Sequence, residues 1–146
     1  MAILADFFVA SAEQAERYAN RLDEPDGGTE VRTLLRPASY TGFTTLQIGM
    51  LWSILEGVAW DRKRHLLENI WFSDQGDAWL NRFPDELTRL LAGASGNELA
   101  AALAKWAAAD EVDYSEEELA PVLRDLEALA RKAVETDISV YLWGCV

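Results

Sequence analysis

The sequence predicts a single α+β domain spanning residues 1–146, with a mixed sheet of four to five strands and about five helices packed against it. Three observations support this class. Both ends of the chain, 3–10 and 138–146, are apolar and rich in β-branched or aromatic residues, which favours strands. Three Ser-x-x-Gln/Glu capping boxes mark helix starts between them. The length of 146 residues is also close to the common size of one domain.

The first quarter of the chain predicts a strand, a helix and a second strand. The strand over 3–10 leads directly into a helix that begins at Ser11, where Gln14 completes a capping box. An acidic, glycine-containing loop over 23–28 ends that helix. The segment 31–35 then predicts another strand, closed by Pro37.

The middle of the chain predicts a buried helix and a β-hairpin. Apolar residues from Thr44 to Leu55 cover most of a helical wheel, which predicts a helix buried on nearly all sides and ended by Gly57. The segments 66–72 and 77–83 carry aromatic residues and flank the turn Ser-Asp-Gln-Gly. Two such segments separated by a turn sequence are typical of a β-hairpin.

Three helices and a final strand are predicted after the hairpin. Pro84 opens a short helix, and Ser95 and Ser115 cap the next two. Proline is tolerated in the first turn of a helix, but Pro121 lies beyond the first turn of a helix that begins at Ser115. We therefore expect the helix to kink or to restart there. The strand over 138–146 is apolar on both faces, so it should lie inside the sheet and share that sheet with the N-terminal strand.

The composition excludes several kinds of site. With one cysteine, Cys145, and one histidine, His65, the chain cannot form an internal disulfide or a Cys/His zinc site. Its 25 acidic and 13 basic residues give a formal charge of −12, which opposes binding to nucleic acid and to anionic membranes. The apolar N-terminus lacks a basic region and contains Asp6, unlike a signal peptide. We therefore expect a cytoplasmic protein without cofactor or metal.

An acidic run between the last two predicted helices is the strongest candidate for a binding surface. Residues 94–146 hold 11 acidic and 4 basic residues, so the negative charge is concentrated there. A calcium loop requires oxygen ligands at alternating positions and a glycine at its sixth position, and Val112 and Ser115 break both requirements. The run can have a structural role, in which its acidic side chains are solvated at the ends of two helices and complement the positive end of the second helix. The functional alternative is that it docks a basic protein. The predicted partner-binding residues are Asp110, Glu111, Asp113, Glu116 and Glu117.

Other candidate residues carry weaker signals. The basic segment 62–65 ends in His65, which could act as a general base only if Asp61 or Glu68 assisted it. Six tryptophans are many for this length, and we expect most of them, including Trp52, Trp106 and Trp143, in the core. The two beside the hairpin turn, Trp71 and Trp79, are the better candidates for an exposed aromatic surface. Cys145, on a buried strand, is expected to be inert.

The last third of the chain resembles a group of small uncharacterised bacterial proteins. The residues that carry the resemblance are Trp106-Ala107, Asp110-Glu111, Ser115-x-x-Glu118-Leu119 and the closing Tyr141-Leu-Trp143-Gly-Cys145-Val146. The resemblance implies a bacterial cytoplasmic origin and an α+β fold. It implies no activity and no site, because none is assigned to that group.

These observations favour a non-catalytic interaction protein, immunity-type or regulatory, whose acidic face binds a basic protein. The first alternative is a small-ligand-binding protein with a tryptophan-lined pocket, and the second is a hydrolase or transferase that uses carboxylates as acid and base. Two converging carboxylates in a pocket would favour the enzyme. A flat acidic face would favour the interaction protein.

Overall fold

A five-stranded sheet separates two layers of helices in the computed structural model, which describes residues 2–146. A short 3₁₀ turn, Arg21–Asp23, follows the first helix. The elements along the chain are β1 (Leu4–Ala10), α1 (Ala12–Ala19), α2 (Thr29–Leu35), β2 (Ala38–Thr41), α3 (Thr45–Glu56), β3 (Glu68–Phe72), β4 (Ala78–Arg82), α4 (Asp85–Gly93), α5 (Gly96–Ala107), α6 (Glu116–Thr136) and β5 (Ser139–Cys145). Across the sheet the strand order is β2-β1-β5-β4-β3.

The two terminal strands lie in the same sheet, as predicted, and are neighbours there. β1 and β5 pair along their whole length, from Leu4 opposite Cys145 to Ala10 opposite Ser139. β5 is the central strand, with β1 on one side and β4 on the other. Both strands can be apolar on two faces because helices cover both sides of the sheet. The prediction that the last strand lies inside the sheet is therefore confirmed.

The sheet is antiparallel throughout, so the expectation of a mixed sheet is wrong in this detail. Parallel neighbours need a crossover that returns the chain in the same direction, most often through a single helix. Here β1 and β2 are joined by α1, the 3₁₀ turn and α2, and three helices separate β4 from β5. Nothing in these longer connections forces neighbouring strands to run parallel.

Two apolar cores lie on opposite faces of the sheet. The larger core packs α3 to α6 against β1 and β5 and includes Phe7, Leu142 and Trp106. The smaller core packs α1 and α2 against the other face and includes Tyr18 and Trp143. Trp52, Trp106 and Trp143 are 5%, 0% and 8% exposed, which confirms that they are core residues.

The predicted strand over 31–35 is wrong, because this segment is the end of α2. The carboxylate of Asp26 accepts hydrogen bonds from the backbone N–H groups of Gly28 and Glu30 and so holds the start of the helix. Val31 and Leu35, four residues apart, face the smaller core, while Leu34 is exposed. The β-branched residues of this segment suggested a strand, but the spacing of its buried residues is helical.

The other helices and the hairpin agree with the sequence, and of the two expectations at Pro121, a kink or a restart, the restart is wrong. α6 runs without a break from Glu116 to Thr136, so the helix does not restart at this proline. The carbonyl that Pro121 leaves without a donor belongs to Glu117, an exposed residue of the first turn, where water can bind it. None of the helices within residues 2–146 combines the length and the apolar character needed to cross a membrane.

Candidate functional site

The acidic run forms an exposed surface, which we call the acidic loop and define as residues 110–117. It joins the C-terminal end of α5 to the first turn of α6. Within residues 2–146, the side chains of its five acidic residues form no ion pair and no hydrogen bond. All five are exposed to solvent: Asp110, Glu111, Asp113, Glu116 and Glu117. Their charges are therefore available to a partner.

The backbone of the acidic loop is held in place by contacts with the larger core. Val112 is 7% exposed, and its N–H donates to the carbonyl of Ala109 at 3.1 Å. The Tyr114 hydroxyl donates to the carbonyl of Thr41 at 2.6 Å, and its ring stacks on Phe43 with 5.3 Å between centroids. The loop thus presents its carboxylates from a fixed backbone.

Glu118, which follows the loop, has a structural role. Its carboxylate accepts a hydrogen bond from the N–H of Ser115 at 3.1 Å, and the Ser115 hydroxyl accepts one from the N–H of Glu118 at 3.2 Å. This is the predicted capping box at the start of α6. Within residues 2–146, no group of three or more acidic, histidine or cysteine side chains is arranged to hold a metal ion.

A second polar site, which sequence reasoning missed, surrounds Asp6 in the middle of β1. We call it the Asp6 cluster and define it as Asp6, Tyr18, Arg21, Arg32 and Ser39. Asp6 is 5% exposed, although its neighbours along β1 are apolar. Ser39, opposite Asp6 on β2, donates to Oδ1 at 2.7 Å. Tyr18 donates to Oδ2, and a guanidinium nitrogen of Arg32 lies 3.0 Å from the same oxygen.

Burial and aromatic stacking shape the electrostatics of the Asp6 cluster. Burial raises the pKa of Tyr18 well above its ordinary value, and the hydrogen bond to Asp6 raises it further, so this phenol remains a donor. The Arg21 guanidinium lies 3.5 Å from Oδ2 of Asp6. It also stacks over the rings of Tyr18 and Trp143, at 4.6 and 4.0 Å from their centroids. Two guanidinium groups therefore surround one carboxylate.

His65 is a structural residue in this arrangement. It is 1% exposed, and its Nδ1 accepts a hydrogen bond from the backbone N–H of Asp61 at 2.9 Å. Its Nε2 lies 2.8 Å from a carboxylate oxygen of Glu56 and donates to it. Both ring nitrogens are thus occupied within the protein. Glu56, rather than the Asp61 carboxylate or Glu68, is the acid that contacts the ring.

The two hairpin tryptophans, Trp71 and Trp79, are both half-buried. Trp71 is half-buried against the smaller core. Trp79 is half-buried and packs against Gly144 of the neighbouring strand. A Cβ added at Gly144 would lie 2.3 Å from the Trp79 indole. Trp79 also lines a mostly apolar groove of about 340 Å³ together with Leu66 and Phe72. Cys145, expected in the interior, is partly exposed at the end of β5.

Comparisons with known proteins give one similar structure and no family. No family model matches the sequence, and no curated protein matches it. The crystal structure of YfbM, a protein of unknown function from Escherichia coli, is similar over 98% of this chain and 99% of its own, with 14% identity and a TM-score of 0.45. At this level the similarity assigns neither a site nor an activity.

Proposed function

We propose that the protein is a non-catalytic binding protein, immunity-type or regulatory, whose acidic loop docks onto a basic protein. The observation that carries this proposal is that five exposed carboxylates, which have no partner within residues 2–146, stand on a loop whose backbone is anchored by Val112 and Tyr114. A fixed backbone reduces the entropy that is lost on binding. Unpaired charges of one sign accelerate encounter with an oppositely charged partner.

The alternative function, a hydrolase or transferase that uses two carboxylates as acid and base, has less support. The polar partners of the buried carboxylate of Asp6 are a phenol, a hydroxyl and two guanidinium groups, not a second carboxylate. His65 has no free ring nitrogen for proton transfer. The acidic loop supplies many carboxylates, but all of them face solvent, where their charges are screened rather than tuned for acid-base catalysis.

The experiment that tests this proposal measures association with an octalysine peptide at several salt concentrations. The test variant carries Asp113→Asn, Glu116→Gln and Glu117→Gln. The matched control carries Asp74→Asn, Glu13→Gln and Glu30→Gln, which removes the same charge from one turn and from the first turns of α1 and α2. None of these three control carboxylates forms an ion pair within residues 2–146.

We expect the acidic-loop variant to associate at least several-fold more slowly than the control variant at low salt. Added salt should slow association of the wild type steeply and change dissociation much less, because long-range attraction acts mainly on encounter. If the two variants slow association equally, the effect comes from total charge and the proposal is wrong. Salt-independent association of the wild type would contradict it as well.

A further inference from the structure

A cavity of about 320 Å³ opens beside the Asp6 cluster, at the side of the sheet where β2 forms the edge. Arg21, Arg32, Asp6 and Ser39 all line it, and Trp143 from the central strand forms part of its wall. These groups come from five separate parts of the chain: β1, the 3₁₀ turn, α2, β2 and β5. The fold thus gathers charged, polar and aromatic groups around one cavity.

The charge around this cavity is positive, in contrast to the rest of the chain. Arg21 and Arg32 bring two positive charges, and Asp6 brings one negative charge. The carboxylate of Asp6 already accepts hydrogen bonds from Tyr18, Ser39 and Arg32. Few of its lone pairs therefore remain to accept a hydrogen bond from Arg21. An excess of one positive charge therefore borders the cavity of a protein whose formal charge is −12.

Two residues that line this cavity each carry a buried N–H donor without an acceptor within residues 2–146. Within residues 2–146, three buried polar side-chain atoms have no hydrogen-bond partner. Two of them, Nη1 of Arg21 and Nε1 of Trp143, belong to residues that line the cavity. Nη1 of Arg21 is close to Asp6 but forms no hydrogen bond with it. Buried donors are nearly always paired in native proteins, so an unfilled pair at one cavity points to an acceptor supplied from outside.

We propose that this cavity binds a small organic anion through one carboxylate or phosphate group. The guanidinium groups of Arg21 and Arg32 hold the oxyanion, because such groups match its charge and its paired acceptors. The apolar part of the ligand lies against the half-exposed side chain of Leu4. This site is separate from the acidic loop and does not rest on the proposed docking function.

The test follows the tryptophan indole N–H resonances by NMR while benzoate or phenyl phosphate is added. Benzamide, which has a similar shape but no charge, and sodium chloride at equal ionic strength are the control additions. The variant Trp143→Phe identifies the resonance of Trp143. The indole of Trp52 also lacks a partner but lies in the other core, so it serves as an internal control.

We expect a saturable shift of the Trp143 resonance with at least one of the two anions and no shift of Trp52. Arg32→Gln should weaken this binding at least tenfold. Arg36→Gln removes the same charge from the exposed C-cap of the same helix and should leave the affinity within twofold of the wild type. Binding of only one anion would identify the oxyanion class. Arg32→Lys, which keeps the charge but loses the forked donors, provides a second variant if Arg32→Gln does not fold.

Three results would overturn the proposal. The first is the absence of a saturable Trp143 shift with both anions in the wild type, which depends on no variant. The second is an equal response to benzamide or to sodium chloride. The third is equal weakening by Arg32→Gln and Arg36→Gln, which would mean that the anion responds to the overall charge of α2 rather than to the cavity.

Discussion

The acidic loop and the Asp6 cluster use charge in opposite ways. The loop places five carboxylates in solvent, with no partner in the described part of the chain. The cluster places one carboxylate in the interior between two arginines, a tyrosine and a serine. Exposed charges contribute little to stability but act over distance on an approaching partner. Buried charges require close pairing and fix local geometry. The difference predicts that substitutions in the two regions will separate stability from binding.

The largest effect is expected for Asp6→Ala in the buried cluster. It leaves the Tyr18 hydroxyl without its acceptor and the Arg21 guanidinium without its ion-pair partner in a largely buried environment. Removal of one partner of a buried pair costs about 3–5 kcal/mol of unfolding free energy. Chemical denaturation of the variant measures this loss, with Asp74→Ala, an exposed residue, as the control. A loss below about 1 kcal/mol would mean that the cluster does not stabilise the fold.

Gly42→Ala should have the next largest effect, through the anchor of the acidic loop. Gly42 has φ +85°, and an added Cβ would lie 2.1 Å from the Tyr114 hydroxyl. The positive φ alone costs about 1–2 kcal/mol for alanine. Displacement of Tyr114 adds about 1 kcal/mol for its lost hydrogen bond. Gly76→Ala, where φ is +72° but no atom lies within 4 Å, isolates the backbone part. Equal losses in the two variants, measured by denaturation, would show that the Tyr114 anchor is unimportant.

The acidic-loop variant with Asp113→Asn, Glu116→Gln and Glu117→Gln should lose only about 1 kcal/mol, because Glu116 and Glu117 interact favourably with the helix N-terminus. This small loss, beside the slower association expected with octalysine, would separate binding from stability. Thermal and chemical denaturation give the value. A loss as large as that of Asp6→Ala would instead indicate that these carboxylates hold the fold together.

The smallest effect is confined to high pH and concerns Tyr40, whose hydroxyl joins β2 to α6 through Asp125. Burial, together with this hydrogen bond, raises the pKa of Tyr40 to about 12. The unfolded chain ionises this phenol near its ordinary value of 10.0, so stability is fully present below that pH and falls as pH rises towards 12. After allowance for solvent screening, the difference is on the order of 1 kcal/mol or less.

Tyr40→Phe should therefore make the stability less dependent on pH between these two values. The remaining dependence is expected from Tyr18 and Tyr141, whose pKa values are also raised by burial. Denaturation midpoints measured from pH 9 to 12 provide the comparison. An unchanged slope in the variant would show that Tyr40 ionises as easily in the folded protein as in the unfolded chain.

The same two regions show what the sequence could predict. The acidic loop is contiguous, so its charge, its capping serine and its exposure follow from local patterns around Ser115. The Asp6 cluster is assembled from distant segments, and no local pattern joins Asp6 to Ser39 or Arg32. The incorrect prediction of a strand over 31–35 also prevented the identification of Arg32, because the side chain of Arg32 points to Asp6 only when this segment is a helix. One signal was present, a charged residue within an otherwise apolar strand, which implies a buried partner.

In our proposal the acidic loop, rather than the acidic surface as a whole, receives a basic partner. Backbone amide shifts in two-dimensional NMR spectra, recorded while octalysine is added to the wild-type protein, locate the residues that bind it. We expect the largest shifts within residues 110–117, with smaller changes at the exposed acids Glu13, Glu30 and Asp74. Shifts of similar size at all of these acids, or the largest shifts outside the acidic loop, would contradict it.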